Sequence, residues 1–236
     1  MAEPVVDVRD LTKRYGAREV VRDVTIRIGA GDLLGLVGAN GGGKTTTLRM
    51  LAGLVVPDGG GGTVLGAKVA GSRIARAQIG YMSQKLALYP ELTVLENLRF
   101  HARIHRLPAS AVGSSVSRYE LEPVERTRFG VLSGGWARRV QFAASVMHAP
   151  PLLLLDEPTA GLDVATRHTI WDWLFALARA GHAIIVSTHD LSEAERLPQL
   201  VLYRDGRASP QTTPQAVMAA TGATTLEAAV LAGVPS

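Results

Sequence analysis

Leu33-Leu34-Gly35-Leu36-Val37-Gly38-Ala39-Asn40-Gly41-Gly42-Gly43-Lys44-Thr45-Thr46 decides the fold. Its first five residues are almost wholly apolar, as in a central strand covered on both faces. Residues Gly38 to Thr45 match the pattern G-x-x-x-x-G-K-S/T, and a helical segment, Thr46 to Leu54, follows. Strand, glycine loop and helix in that order place a row of backbone N–H groups at a helix N-terminus, where they point at phosphate oxygens. Gly38, Ala39, Asn40, Gly41, Gly42 and Gly43 form this cradle, and Thr46 opens the helix behind it. Lys44 is expected to reach the β- and γ-phosphates of a nucleotide, and the Thr45 hydroxyl to bind Mg²⁺.

A second apolar strand, Leu152 to Leu155, ends in Asp156-Glu157. That ending puts Asp156 at the sheet edge, where it can hold the metal through water, and Glu157 one residue on, within reach of a water aligned with the γ-phosphate. Outward from these two motifs, Val5 to Val8 and Val20 to Ile28 alternate as half-buried strands. Short strands are expected at Thr63 to Leu65 and Ile79 to Met82, and the glycine run before Thr63 reads as a tolerant surface turn. From Leu92 to about Met147 the spacing is helical, with Thr93 as an N-cap. A helix around Ala165 to Ala180, a strand at Ala183 to Ser187 and a hairpin around Val201 to Arg207 complete an α/β pattern with a helical insertion. In the tail, Thr213-Pro214 opens one short helix, Gly222 closes it and Thr225 opens another.

Composition narrows the class. At 236 residues and 47% hydrophobic the chain can bury a substantial core, and it contains no cysteine, which removes disulfides and thiolate metal sites. The net charge of +4 is spread without a basic run, so no direct nucleic-acid partner is expected. No stretch reaches the roughly 18 apolar residues of a membrane span. The N-terminal residues carry acids and no apolar segment of the kind a secretory leader needs. A cytoplasmic protein is expected, with any membrane role supplied by a partner.

Leu132-Ser133-Gly134-Gly135 lies between the two nucleotide motifs and opens a helix. It resembles the signature sequence of ATP-binding cassette (ABC) ATPases. The family's other motifs stand in order: Lys13-Arg-Tyr15-Gly, Tyr81-Met-Ser-Gln84, Ala160-Gly-Leu-Asp163 and Ser187-Thr-His189-Asp190. The resemblance covers about residues 3 to 208. It implies a P-loop NTPase cassette: a RecA-like core with an antiparallel β subdomain, a helical subdomain at about 86 to 148, and a C-terminal helical tail over 209 to 236. It implies that two copies face each other head to tail, so that Ser133, Gly134 and Gly135 of one copy cap the γ-phosphate held by the other. Tyr15 would stack on adenine, Gln84 would bind Mg²⁺ or the attacking water, and His189 would contact the γ-phosphate beside Glu157. Asp163 would sit at the subunit interface. Trp136 replaces the glutamine usual after the signature glycines, which puts any ribose or inter-subunit hydrogen bond there in doubt. Gly42 is a mild variant within the cradle.

Gly80-Tyr-Met-Ser-Gln84, Leu88-Tyr-Pro-Glu-Leu-Thr-Val94, Gly135-Trp136 and Thr225-Leu-Glu227 look like subunits of ABC-2-type, multidrug-efflux-like exporters. The resemblance thus implies an ATPase, peripheral on the inner face of the membrane, that drives a separate integral membrane permease. A groove at Lys85 to Leu92, near Gln84, would grip the permease, with Leu88 and Tyr89 as contacts. Two other readings compete: a soluble ABC ATPase acting on nucleic acid or the ribosome, and a nucleotide-binding regulatory module without turnover. The first usually carries paired cassettes, a long coiled coil or zinc modules, none of which appears, and the second conflicts with intact Glu157 and His189.

Overall fold

A computed structural model describes residues 3–69 and 76–232. Met1, Ala2, the segment 70–75 within the expected cassette and the last four residues of the expected tail lie outside the described residues. In chain order the elements are β1 (Val6–Tyr15), β2 (Arg18–Ile28), β3 (Leu33–Gly38), α1 (Lys44–Leu51), β4 (Gly59–Val64), β5 (Ala67–Lys68), β6 (Ile79–Met82), α2 (Val94–Ile104), α3 (Ser110–Arg118), α4 (Gly134–Val146), β7 (Leu152–Asp156), α5 (Val164–Arg179), β8 (Ala183–Thr188), α6 (Leu191–Ala194), β9 (Gln199–Arg204), β10 (Arg207–Ala208), α7 (Pro214–Thr221) and α8 (Leu226–Leu231).

The strands form one sheet in the order β5-β4-β1-β2-β10-β9-β3-β8-β7-β6. Its β6-β7-β8-β3-β9 half is parallel, and β1, β2, β4 and β5 pair antiparallel. The short β10 joins the halves, antiparallel to β9 and parallel to β2. Successive residues of the central strands feed two cores. Leu33, Val37, Leu153, Leu155, Ile184 and Val186 pack toward the helical side, while Leu34, Leu36, Leu152, Leu154 and Ile185 pack toward α1 and the antiparallel strands. That division explains why these strands read as continuous apolar runs, whereas β2 alternates buried Val24, Ile26 and Ile28 with exposed Thr25 and Arg27.

Except for α1 and α3, the helices begin where a side chain takes up an orphan backbone donor. Thr93 and Glu96 exchange bonds at the start of α2, Glu96 N donating to Thr93 Oγ1 (3.2 Å) and Thr93 N to Glu96 Oε2 (2.7 Å). Thr213 and Thr225 cap α7 and α8, and Gly222 closes α7 in the left-handed region. Leu226 N donates to Glu195 Oε1 (2.5 Å), and Leu226 and Ala229 are buried, so the tail helices dock beside α6.

One expectation about the strands is overturned. The glycine run is not a loose turn: Gly59–Val64 is a strand paired with β1, with Val8 opposite Gly62. Glycine carries no side chain to register as strand pattern, and its reason lies across the ladder, where the β1 backbone leaves no room for a Cβ. The first two strands are also longer than alternation suggests, because β1 continues to Tyr15 through three register shifts against β2.

His105, at the end of α2, stacks on His148 after α4, with ring centroids 3.8 Å apart. Burial first, then the like charge of His105 and His101, lowers the His148 pKa from 6.5 to about 4. The folded state therefore favours the neutral ring. Stability is full above pH 6.5 and is lost as pH falls toward about 4, because only the unfolded chain takes up the proton in that window. His148→Phe keeps the stack and removes the titration. Chemical denaturation at pH 7.5 and pH 5 is expected to show an acid loss smaller than wild type by on the order of 1 kcal/mol, the residue being only partly buried.

Candidate nucleotide site

The loop between β3 and α1 closes on itself through a Gly42 N–H···O bond to Ala39 (3.2 Å). Gly43, with φ 106°, must be glycine: a Cβ there would lie 2.7 Å from Val20 O. A cleft of about 330 Å³ opens on this loop, lined by Val20, Asn40 to Thr46, Gln84 and Glu157. Lys44 is only 4% exposed. Its Nζ donates to Gly38 O (2.6 Å) and Ala39 O (3.0 Å) and lies 3.8 Å from Glu157 Oε1. Burial lowers the Lys44 pKa, and the charges of Glu157 and Asp156 oppose that shift. The ammonium is thus poised in a partly dehydrated place, where added negative charge on a ligand is strongly felt.

Strand ends carry the carboxylates. The apolar run of β7 delivers Asp156 at its last residue, and β8, parallel and adjacent, delivers Ser187 opposite it. Thr45 Oγ1 (3.0 Å) and Ser187 Oγ (2.7 Å) both donate to Asp156 Oδ1. Glu157 follows in the left-handed region at φ 49°, a conformation that costs a residue with a Cβ about 1 kcal/mol or more. Its N–H donates to Ser187 Oγ (3.0 Å), holding the turn. The Glu157 carboxylate then meets three side chains from distant segments: Lys44, Gln84 Nε2 donating to Oε2 (3.1 Å), and His189 Nδ1 at 3.3 Å from Oε1. Glu157 is 5% exposed while His189 is 49% exposed, so the carboxylate is enclosed and the imidazole faces outward.

Three sets of sequence-expected residues lie elsewhere. Tyr15 is half exposed, with Lys13 Nζ 5.6 Å from its ring centroid, and is outside the cleft lining. Ser133 caps α4, its Oγ accepting from Trp136 N (3.5 Å), and Gly134 and Gly135 form the first turn. None of the three lines the cleft of its own chain. Asp163 caps α5 and accepts from Thr166 N (3.0 Å). Trp136 is engaged within its own chain: the Arg139 guanidinium lies over its ring (4.9 Å) and over Trp173 (5.1 Å) and pairs with Glu120 (2.7 Å).

The sequence reading missed residues that act on the others. Ser187 bridges Asp156 and the Glu157 backbone, a part that its place in Ser187-Thr-His189-Asp190 does not reveal. Arg167 of α5 pairs with Asp190 (2.7 Å) and Glu193 (3.5 Å), which follow His189 in the chain. Arg138 and Gln141 hold the backbone around Gln84. Polar residues on a helix read as a solvated face unless their partners are known, so only the burial of Arg138 and Gln141 gives them away.

The family model described as ABC transporter matches residues 21–160. The Nod factor export ATP-binding protein I of Rhizobium leguminosarum bv. viciae is 41% identical over 219 residues, covering 90% of this chain and 70% of that protein. The chain belongs to the ABC transporter family. A probable multidrug ABC transporter ATP-binding protein, YbhF of Escherichia coli (strain K12), is 36% identical over 217 residues, 90% of this chain and 38% of the larger protein. Among solved structures, the ATP-binding subunit of an ABC transporter superposes with a TM-score of 0.84 at 28% identity, covering 96% of this chain and 98% of that one. The ATP-binding cassette MJ0796, in a dimeric post-hydrolysis state bound to ADP and Pi, superposes with a TM-score of 0.80 at 26% identity over 88% of this chain and 98% of that one. This ABC cassette is an ATP-binding and ATP-hydrolysing subunit with the P-loop NTPase fold expected of it.

Proposed function

We propose that the cassette powers export through a separate membrane permease, two copies closing head to tail on ATP. The observation that carries the reading is the division of the site. The cleft holds Lys44, Thr45, Gln84 and Glu157, while the capped N-terminus of α4, with Ser133 and two glycines, stands outside it. A helix N-terminus that stands outside the cleft of its own chain suits a phosphate presented by another copy. The working boundaries are 3–208 for the cassette, 86–148 for its helical subdomain and 209–236 for the tail.

Within each site the loop N–H groups and Lys44 bind the phosphates, Tyr15 stacks on the base, and Glu157 accepts a proton from the attacking water. His189, in contact with Glu157, orients that carboxylate and the terminal phosphate. The donors Thr45 Oγ1, Asp156 and the Gln84 amide oxygen are hard oxygen ligands, and Thr45 and Asp156 already share a hydrogen bond, so this set fits Mg²⁺. Bound there, Mg²⁺ would offset charge on the phosphate oxygens.

In this reading the permease docks on exposed apolar residues that follow Gln84 in the chain. Leu86, Tyr89, Phe100 and Ile104 are exposed, and Tyr89 meets Phe100 edge-on with centroids 5.2 Å apart. Leu88, expected as a contact, instead faces inward into the helical-side core, because Asn97 pins the loop through Tyr89 N (2.9 Å) and Tyr89 O (3.0 Å). Among the described residues no helix is long and apolar enough to cross a membrane, and the subunit is placed on the inner face by the permease it drives. Tyr89→Glu with Phe100→Glu is expected to leave the ATPase of the purified chain within about twofold while its retention on inverted membrane vesicles of the native cell falls about tenfold, the scale of losing two aromatic contacts. Equal retention would place the permease on another surface.

A further inference from the structure

The segment Ser83-Gln84-Lys85, between β6 and α2, is irregular, and its three carbonyls need partners from elsewhere. Ser83 Oγ turns back to donate to Lys85 O (2.7 Å). The remaining demand is met from α4. Arg138 Nη1 donates to Gln84 O (2.9 Å) and Ser83 O (3.4 Å). Gln141 Nε2 donates to Ser83 O (3.1 Å) and Lys85 O (3.0 Å). The two side chains are three residues apart, hence on one face of the helix, and both are buried. From the middle of the same segment the Gln84 side chain donates to Glu157. Arg138 stands five residues beyond Ser133, about one and a half turns into the helix that Ser133 caps.

We propose that Arg138 and Gln141 are positioning residues that clamp the Gln84 segment to α4, so that the contact of Gln84 with Glu157 and the placing of Ser133 move as one unit. The inference rests on the reading that Glu157 acts in a chain's own site and Ser133 in its partner's. Its chemistry is local. Four hydrogen bonds to three consecutive carbonyls leave the segment no independent freedom, and a helix turn is too stiff to absorb its displacement. A shift of Gln84 at one γ-phosphate is therefore delivered to the helix N-terminus that completes the other site. Burial lowers the Arg138 pKa and the charges of Glu157 and Asp156 oppose it, which places the guanidinium within the field of the catalytic carboxylates.

The test is a double-substitution cycle on the full chain, reading kcat and KM for ATP together with monomer affinity for a fluorescent ADP. Arg138→Gln is expected to lower kcat about tenfold with KM and ADP affinity unchanged within about twofold, and Gln141→Leu to follow the same pattern. In a Gln84→Ala background, where the link to Glu157 is already cut, Arg138→Gln should lower kcat by no more than about twofold further. A tenfold loss in both backgrounds would mean that Arg138 only supports the fold, and no loss in either would remove the clamp. Should Arg138→Gln unfold the chain, the Gln141→Leu cycle reads the same coupling without removing a buried charge. If Glu157→Gln kept wild-type turnover while the cycle remained non-additive, the assignment of the base would fail and the clamp would stand.

Discussion

Glu157→Gln is expected to lower ATP turnover by about two to four orders of magnitude, the range a positioned general base supplies. Glutamine has nearly the same shape, and its amide oxygen can still accept from Gln84 Nε2, so the enclosed pocket is kept. What disappears is the basic oxygen that takes the proton, together with the negative charge now 3.8 Å from Lys44 Nζ and 3.3 Å from His189 Nδ1. A carboxylate beside a polyphosphate repels it, so nucleotide affinity should hold or rise while kcat collapses. Steady-state kinetics alongside equilibrium binding of a fluorescent ATP separates the two quantities. A kcat within threefold of wild type would remove Glu157 from the chemistry and leave its strained φ and its three partners without a catalytic reason.

The second large effect is on stability. Gly62→Ala introduces a Cβ 2.1 Å from Asp7 O and 2.6 Å from Val8 Cα, at a φ of 129°. Both obstacles are backbone atoms of the paired strand, so no side chain can swing aside. Strain and overpacking together are expected to cost about 3 kcal/mol or more and to lower Tm by about 6–12 °C. Gly61→Ala is the matched control: it lies in the same strand, with open space where the Cβ would go, and should stay within about 0.5 kcal/mol of wild type. Equal stability of the two variants would contradict the pairing of β4 with β1.

These two sites also mark where sequence reading succeeds and stops. Glu157 was legible because its signal is local: an apolar strand ends, two carboxylates follow, and a glycine cradle stands upstream. Thr93, Thr213, Thr225 and Gly222 were legible for the same reason, since a cap is written within three or four residues of the turn it serves. Gly62 was not, because its requirement comes from Asp7 and Val8, more than fifty positions away in the chain. Leu88 misled for a similar reason. A leucine next to Tyr89 in an irregular segment looks exposed until Asn97, eight residues on from Tyr89, turns the loop inward. Trp136 stood out as a departure from the usual glutamine, but only the structure supplies its partner, the Arg139 guanidinium held between two indoles. Arg138 and Gln141 were hidden altogether, their partners being backbone carbonyls that any sequence would provide.

The central claim is that each copy completes the site of the other, and mixing two inactive variants tests it most directly. Lys44→Ala disables the cradle, and Ser133→Glu sets a negative charge where a phosphate must sit. Each variant alone should be silent against a wild type that turns ATP over. Mixed in equal amounts, they can form a pair in which one site combines both defects and the other has an intact cradle from the Ser133→Glu copy facing an intact Ser133 from the Lys44→Ala copy. The account predicts that ATP hydrolysis returns in the mixture, to about a quarter of the wild-type rate if copies pair at random and sites act independently. A mixture as silent as its components, with both variants folded, would contradict it.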